Sequence, residues 1–200
     1  MASSHIRSCL RTAAAVLVAV WLSGCSSSTE DGEVVGTSSS TTAATTTVPL
    51  PVDELFVDPD GTYQLRVPST WQANHGLVVA EVELWLVEEP TAGGAPNVNI
   101  LTQQAPGLTL SEYRDASVGN APAAGADFEV LSSELIDGAN GQPLALMEYR
   151  AGEQQYLGVF GMTDAGQAIV ATLTAPADRY DELKAAVLPA LLTLEPLPGA

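Results

Sequence analysis

Residues 128–174 read FEVLSSELIDGANGQPLALMEYRAGEQQYLGVFGMTDAGQAIVATLT, and this run decides the fold class. Four segments rich in aliphatic and aromatic side chains, Phe128–Ile136, Leu144–Arg150, Gln155–Met162 and Gln167–Thr174, are punctuated by Asp137-Gly138, Gly152-Glu153 and Asp164-Ala165-Gly166. Gly and Asp accept the backbone angles of tight turns, and connections this short join antiparallel neighbours. The run is therefore read as four antiparallel strands.

Upstream, the same period of two recurs. Thr62 to Val67 places Tyr63, Leu65 and Val67 on one side and Thr62, Gln64 and Arg66 on the other, the mark of a half-buried strand. Leu55-Phe56-Val57 followed by Asp58-Pro59-Asp60-Gly61 reads as a short strand and a turn. Pro68-Ser69-Thr70-Trp71 should end the second strand in one helical turn, with the indole folded into the core. Leu77 to Val87 alternates Val78, Ala80, Val82, Leu84 and Leu86 against Glu81, Glu83 and Trp85, and Pro96 to Leu101 is a further strand.

Two helices frame the last four strands. Thr109 and Glu112 have capping-box spacing, and Leu108 with Tyr113 occupies the positions of a hydrophobic staple; Val118-Gly119 is the expected end. A closing helix is expected to open at Asp178 with Tyr180, Leu183, Val187 and Leu191 as its buried stripe, and Pro189 predicts a kink or break near 185–190. Strands in antiparallel order with segregated helices define an α+β class: an antiparallel sheet with helices packed on it. A body of about 150 residues buries roughly two-thirds of its unfolded surface and needs no metal or disulfide staple.

The first 52 residues have another texture. Arg7 and Arg11 precede ten apolar residues, Ala13 to Leu22, and then Ser23-Gly24-Cys25. A basic start, a short apolar stretch and small residues before a cut site make an export signal over residues 1–24. Ten residues give only about 15 Å of helix, half of a hydrocarbon core. Leu22-Ser23-Gly24-Cys25 resembles the lipobox of bacterial lipoproteins, which implies diacylglycerol on the Cys25 thiol, cleavage before it and acylation of the new amino group. Residues 25–52 are then the lipidated cysteine and a tether. Thirteen of the twenty-five residues 26–50 are Ser or Thr, and so little apolar surface cannot repay the entropy of ordering. Residues 53–200 are the globular domain.

Charge narrows the function. The chain has 7 Lys and Arg against 24 Asp and Glu, net −17, and the five bases beyond Cys25 face all of the acids. A nucleic-acid partner, which needs a basic footprint, is excluded. Cysteines at 9 and 25 alone make no disulfide framework, and with His75 as the one histidine beyond Cys25 there are too few ligands for zinc. No Gly-x-Ser-x-Gly elbow presents a serine to His75. Asp58-Pro59-Asp60-Gly61 invites a calcium loop, but Thr62 and Ser69 stand where ligands belong, so a turn is the better reading. Gly93-Gly94 precedes no phosphate-loop lysine. No metal, cofactor or catalytic residue is expected. Trp71, Trp85 and Tyr113 either line an apolar groove or form core, and Arg114 and Arg150 are rare positive points able to orient an anionic group. Trp71, Trp85, Tyr113 and Arg114 are the candidate binding surface.

Phe56 through Trp71, with its Asp-Gly turn and Tyr63-x-Leu65 strand, resembles the entrance of the Mog1/PsbP-like domain. The Pro96-Asn97-Val98-Asn99 strand, the helix start at Leu110–Tyr113 and Tyr180-Asp181-Glu182-Leu183 are similar too. With the lipobox and Thr-rich tether, the chain resembles the LpqN/LpqT group of actinobacterial lipoproteins. The resemblance covers about residues 53–196. It implies an α/β/α sandwich on the extracytoplasmic side of the cell membrane, held there by the lipid on Cys25. It transfers no catalytic residues, and points to a binding or adaptor module for an envelope protein or lipid. The enzyme alternative is a carboxylate-based cell-envelope hydrolase, drawing two buried acids of raised pKa from Glu81, Glu83, Glu129 or Glu148.

Replacing Cys25 by Ala is expected to remove the lipid from the intact mass and release the protein from the membrane fraction. Membrane association of the native protein without lipid mass would overturn this reading.

Overall fold

Alternation needs two faces to bury against, and strands with apolar residues at every position need both. The computed structural model describes residues 54–73, 82–88, 95–121 and 127–198. Along them run β1 (Glu54–Val57), β2 (Tyr63–Val67), β3 (Gln72–Ala73), β4 (Val82–Leu86), β5 (Asn97–Gln104), α1 (Leu110–Asn120), β6 (Phe128–Asp137), β7 (Pro143–Ala151), β8 (Gln154–Met162), β9 (Gln167–Pro176), α2 (Tyr180–Leu191) and β10 (Glu195–Pro196). Seven strands form one sheet in the order β3-β4-β5-β9-β8-β7-β6, and β1-β2-β10 form a second. All pairings are antiparallel.

Strands β7, β8 and β9 supply the core. Leu144, Leu146, Leu157, Val159, Ile169, Ala171 and Leu173 point to one face, where they meet Tyr63 and Leu65 of β2 and Leu183, Val187 and Leu191 of α2. The intervening Ala145, Met147, Tyr149, Phe160 and Ala168 point to the other, where Tyr113 of α1 packs. Each leucine buried this way contributes about 1.5–3 kcal/mol of transfer free energy. The product is a layered α/β/α arrangement of the expected α+β class.

Helix α1 buries only Tyr113 and Ser117, so its start depends on local bonds. Thr109 N–H donates to the Glu112 carboxylate at 2.8 Å and Glu112 N–H donates back to Thr109 Oγ1 at 3.3 Å, the capping box read in the sequence. Gly119 does not end the helix, which continues through Asn120 with Ala121 as its cap. Glycine weakens a helix by about 1 kcal/mol without breaking it.

The closing helix also departs from expectation. Its cap is Arg179 with no side-chain cap bond, not Asp178, and it runs unbroken past Pro189. Proline costs the helix one bond, but Pro189 lies in the last turn, where buried Val187, Ala190 and Leu191 hold the backbone against the sheet. Gln72–Ala73 and Glu195–Pro196 are strands too short for periodicity to mark. The expected single sheet is two: after β2, Trp71 N–H bonds Pro68 C=O at 3.0 Å and the chain turns into the larger sheet. A Cβ at Gly161 would lie 2.7 Å from Pro196 Cγ, so only glycine lets β10 approach β8 this closely. The turn at Pro68 and the buried Trp71 were expected, and of the strand read over 77–87 the described part is β4, residues 74–81 lying outside the described residues.

Leu157→Ala is expected to lower unfolding free energy by about 2–5 kcal/mol in denaturant titrations with an unchanged slope. Leu55→Ala, at a residue 53% exposed, should stay within about 0.5 kcal/mol of the parent.

Candidate functional site

The residues singled out in the sequence are dispersed by the fold. Trp71 is buried at 7% exposure in the α2-side core, with its indole Nε1 unbonded among the described residues. Tyr113, at 8%, is buried in the α1-side core, donates its hydroxyl to Gln103 Oε1, and is pushed up to about 12 by burial. Trp71 and Tyr113 thus lie on opposite faces of the large sheet and line no common groove. Of the two readings of these aromatics, core is the one that holds for Trp71 and Tyr113: Trp71 sits in the turn after β2 and Tyr113 on α1, and each is buried against its own face of the sheet. Trp85 and Glu83 are placed by backbone register alone, opposite Val98 and Ile100. Arg114 is bound to the carboxylate of its neighbour Asp115 at 2.6 Å, and Arg150 to Glu129 across β6 and β7. Cys25, His75, Glu81 and Gly93-Gly94 lie outside the described residues. Asp58 works as a turn residue: its carboxylate accepts from Thr62 N–H at 3.1 Å and its carbonyl from Gly61 N–H at 2.8 Å, with Gly61 at φ +69°.

What the fold does assemble is a polar knot where α2 crosses the sheet. The Glu148 carboxylate accepts from Lys184 Nζ at 2.8 Å, Tyr180 hydroxyl at 2.8 Å and Ser132 hydroxyl at 3.1 Å. Burial opposes ionisation of Glu148, but the bonds from Lys184, Tyr180 and Ser132 outweigh it and hold the carboxyl below the ordinary range. Burial, then the Glu148 carboxylate, raises the Tyr180 phenol. A general acid needs the opposite shift in its carboxyl, so Glu148 is arranged for pairing rather than proton donation. A second pair fixes the start of α2: Arg179 reaches both Glu88 oxygens, at 2.7 and 2.9 Å. Its bond to Arg179, opposed by desolvation, lowers the Glu88 carboxyl.

A groove open to solvent lies on the opposite face, between α1 and the β6–β7 hairpin. It measures about 320 Å³ and is lined by Leu110, Ser111, Leu135, Ile136 and Pro143, with Thr109 and Asp137 at its polar margin. Leu135 is 51% exposed and Leu131, farther along β6, 43%. The hairpin is braced from behind: Ala139 N–H bonds Leu192 C=O at 2.7 Å, and the Gln142 amide donates to Leu194 C=O at 2.5 Å. This site was not foreseen. Its trace in the sequence is Leu135-Ile136, two adjacent apolar residues that break the alternation of β6 and both line the groove.

Three solved structures share this arrangement of strands and helices. The cyanobacterial PsbP protein of Synechocystis superposes with a TM-score of 0.51 at 21% identity, over 72% of this chain and 91% of its own. The fold is Mog1/PsbP-like. A protein of unknown function from Pseudomonas aeruginosa matches with a TM-score of 0.52 at 18% identity, over 72% and 97%. The Ran-binding protein Mog1p of Saccharomyces cerevisiae matches with 0.50 at 12%, over 72% and 95%. No protein-family profile matches the chain, and no curated protein matches it in sequence. Within this Mog1/PsbP-like body, the groove and the Glu148 knot lie on opposite faces of the one large sheet.

Glu148→Gln is expected to destabilise the protein by about 1–2 kcal/mol at pH 7. A carboxyl lowered by folding stabilises above its unfolded pKa and loses that contribution as pH falls through the folded value. The gap between parent and variant should therefore be full at neutral pH and close on acidification below the ordinary carboxylate range. Paired denaturant titrations at pH 7 and pH 3 read both ends.

Proposed function

We propose that this protein is a membrane-anchored extracytoplasmic lipoprotein of the LpqN/LpqT kind, acting as a non-enzymatic adaptor that binds an envelope protein. The observation that carries the reading is the solvent-open groove lined in part by exposed Leu135. Exposed apolar surface of this kind, rimmed by polar residues, marks interaction sites on soluble domains. A lipid carrier calls for a closed apolar cavity, whereas the groove is open. Mog1p, which shares the fold, is a Ran-binding protein, so the architecture is compatible with a protein partner.

Anchoring in this proposal is the work of Cys25. No helix of the described residues is long and apolar enough to cross a membrane. Two or more acyl chains suffice for stable attachment, each buried CH₂ contributing about 0.8 kcal/mol. The tether would let the body search for a partner near the membrane surface, while the acidic body is repelled by anionic head groups. The hydrolase reading loses support where its acids are described: Glu129 and Glu148 are each neutralised by a base.

Purification from native membranes, followed by protein and lipid mass spectrometry, is expected to recover one stoichiometric protein partner. Recovery of a tightly held lipid without a protein, or turnover of a cell-wall substrate, would overturn the adaptor reading.

A further inference from the structure

Strand β6 is the outer strand of the seven-stranded sheet, and among the described residues nothing pairs with its free edge. An open strand edge is a row of unused backbone donors and acceptors, a template for another strand. The bulge at Leu131 interrupts the edge, leaving Ser132 to Asp137 as a regular stretch of six residues. Its side chains differ by face. Glu134 pairs with Leu146 and so belongs to the α2 side; Leu135 pairs with Ala145, on the α1 side, and lines the groove. Glu129 and Glu148 have bases of their own, Arg150 and Lys184, but neither Glu134 nor Asp137 has a basic partner among the described residues.

Taking the adaptor reading as its basis, we infer that the partner docks by strand addition to β6, presenting an extended segment in which basic and apolar residues alternate. The basic residue stands opposite Glu134 and the apolar one beside Leu135, over the groove. Cross-strand pairs of opposite charge stabilise and like charges repel, so the Glu134 carboxylate that accepts a cationic strand also discourages a second copy of this acidic chain, with Asp137 adding to the repulsion. A second copy would bring its own Glu134 and Asp137 to the edge. The bulge and the acids thus keep the edge from self-pairing while leaving it selective for a basic strand.

The probe is an eight-residue peptide alternating lysine and valine, titrated by fluorescence anisotropy against the full-length protein in a neutral detergent. It should bind, weaken with added salt, and outcompete a glutamate–valine peptide of equal length. Glu134→Lys should weaken the lysine peptide by about fivefold or more and favour the glutamate peptide, with an unchanged melting temperature. Leu135→Glu should weaken the valine contribution in the same assay. The peptide N-methylated at alternate residues should lose binding in one of the two possible registers, because only one of its edges pairs. Binding that survives N-methylation in both registers, absence of binding, or a dimer that Glu134→Lys and Leu135→Glu dissolve would overturn the inference. If a native partner is recovered in equal yield with parent and Glu134→Lys protein, the edge assignment fails and the adaptor reading stands. If no partner is recovered with either, the adaptor reading itself fails.

Discussion

The double burial of β7, β8 and β9 is the constraint on which the remaining architecture depends. Each of these strands carries apolar side chains toward both faces, so leaving either face in water would expose a row of residues such as Leu157 and Val159 or Met147 and Phe160. Neither helix can cover both. Helix α2 and the β1-β2-β10 sheet close one face, and α1 closes part of the other. The two covers are unequal: α2 buries five residues and α1 only two, and the groove opens where the thinner cover gives out, between α1 and β6.

Electrostatics follow from scarcity. Beyond Cys25 there are five basic residues in a chain with 24 acids, and four of the five are held by carboxylates: Arg114 by Asp115, Arg150 by Glu129, Arg179 by Glu88, and Lys184 by Glu148. Two of these pairs do structural work. Arg179 ties the start of α2 to the segment after β4, and Lys184 with Tyr180 ties its middle to β7. The exposed pairs contribute little individually. With the bases so committed, the uncompensated charge at the surface is negative, which sets the sign of any partner the β6 edge can hold.

Legibility varied with the range of the signal. The four strands from Phe128 onward, the Asp58–Gly61 turn and the Thr109–Glu112 capping box were readable because each is fixed by residues within a few positions of one another. The α2 stripe of Tyr180, Leu183, Val187 and Leu191 was readable for the same reason. Gly119 and Pro189 misled because a local helix breaker is outweighed when tertiary packing or the remaining helix bonds hold the turn. That Trp71 and Tyr113 are core residues was readable from their type, but not that they serve opposite faces of the sheet, because neither residue type nor spacing says against which face a turn or a helix packs.

By itself, the sequence determined the antiparallel α+β class, the acidic field and the placement of the turns, since alternation, glycine conformation and charge are properties of short stretches. Only the tertiary structure decided that β9 pairs with β5, that the meander therefore runs outward to leave β6 at the edge, and that Leu135 comes to lie beside Leu110. Strand order depends on which pairings bury the most apolar area at once, a comparison among residues dozens of positions apart. No local pattern carries that information. The surface on which the functional reading rests is a product of that choice.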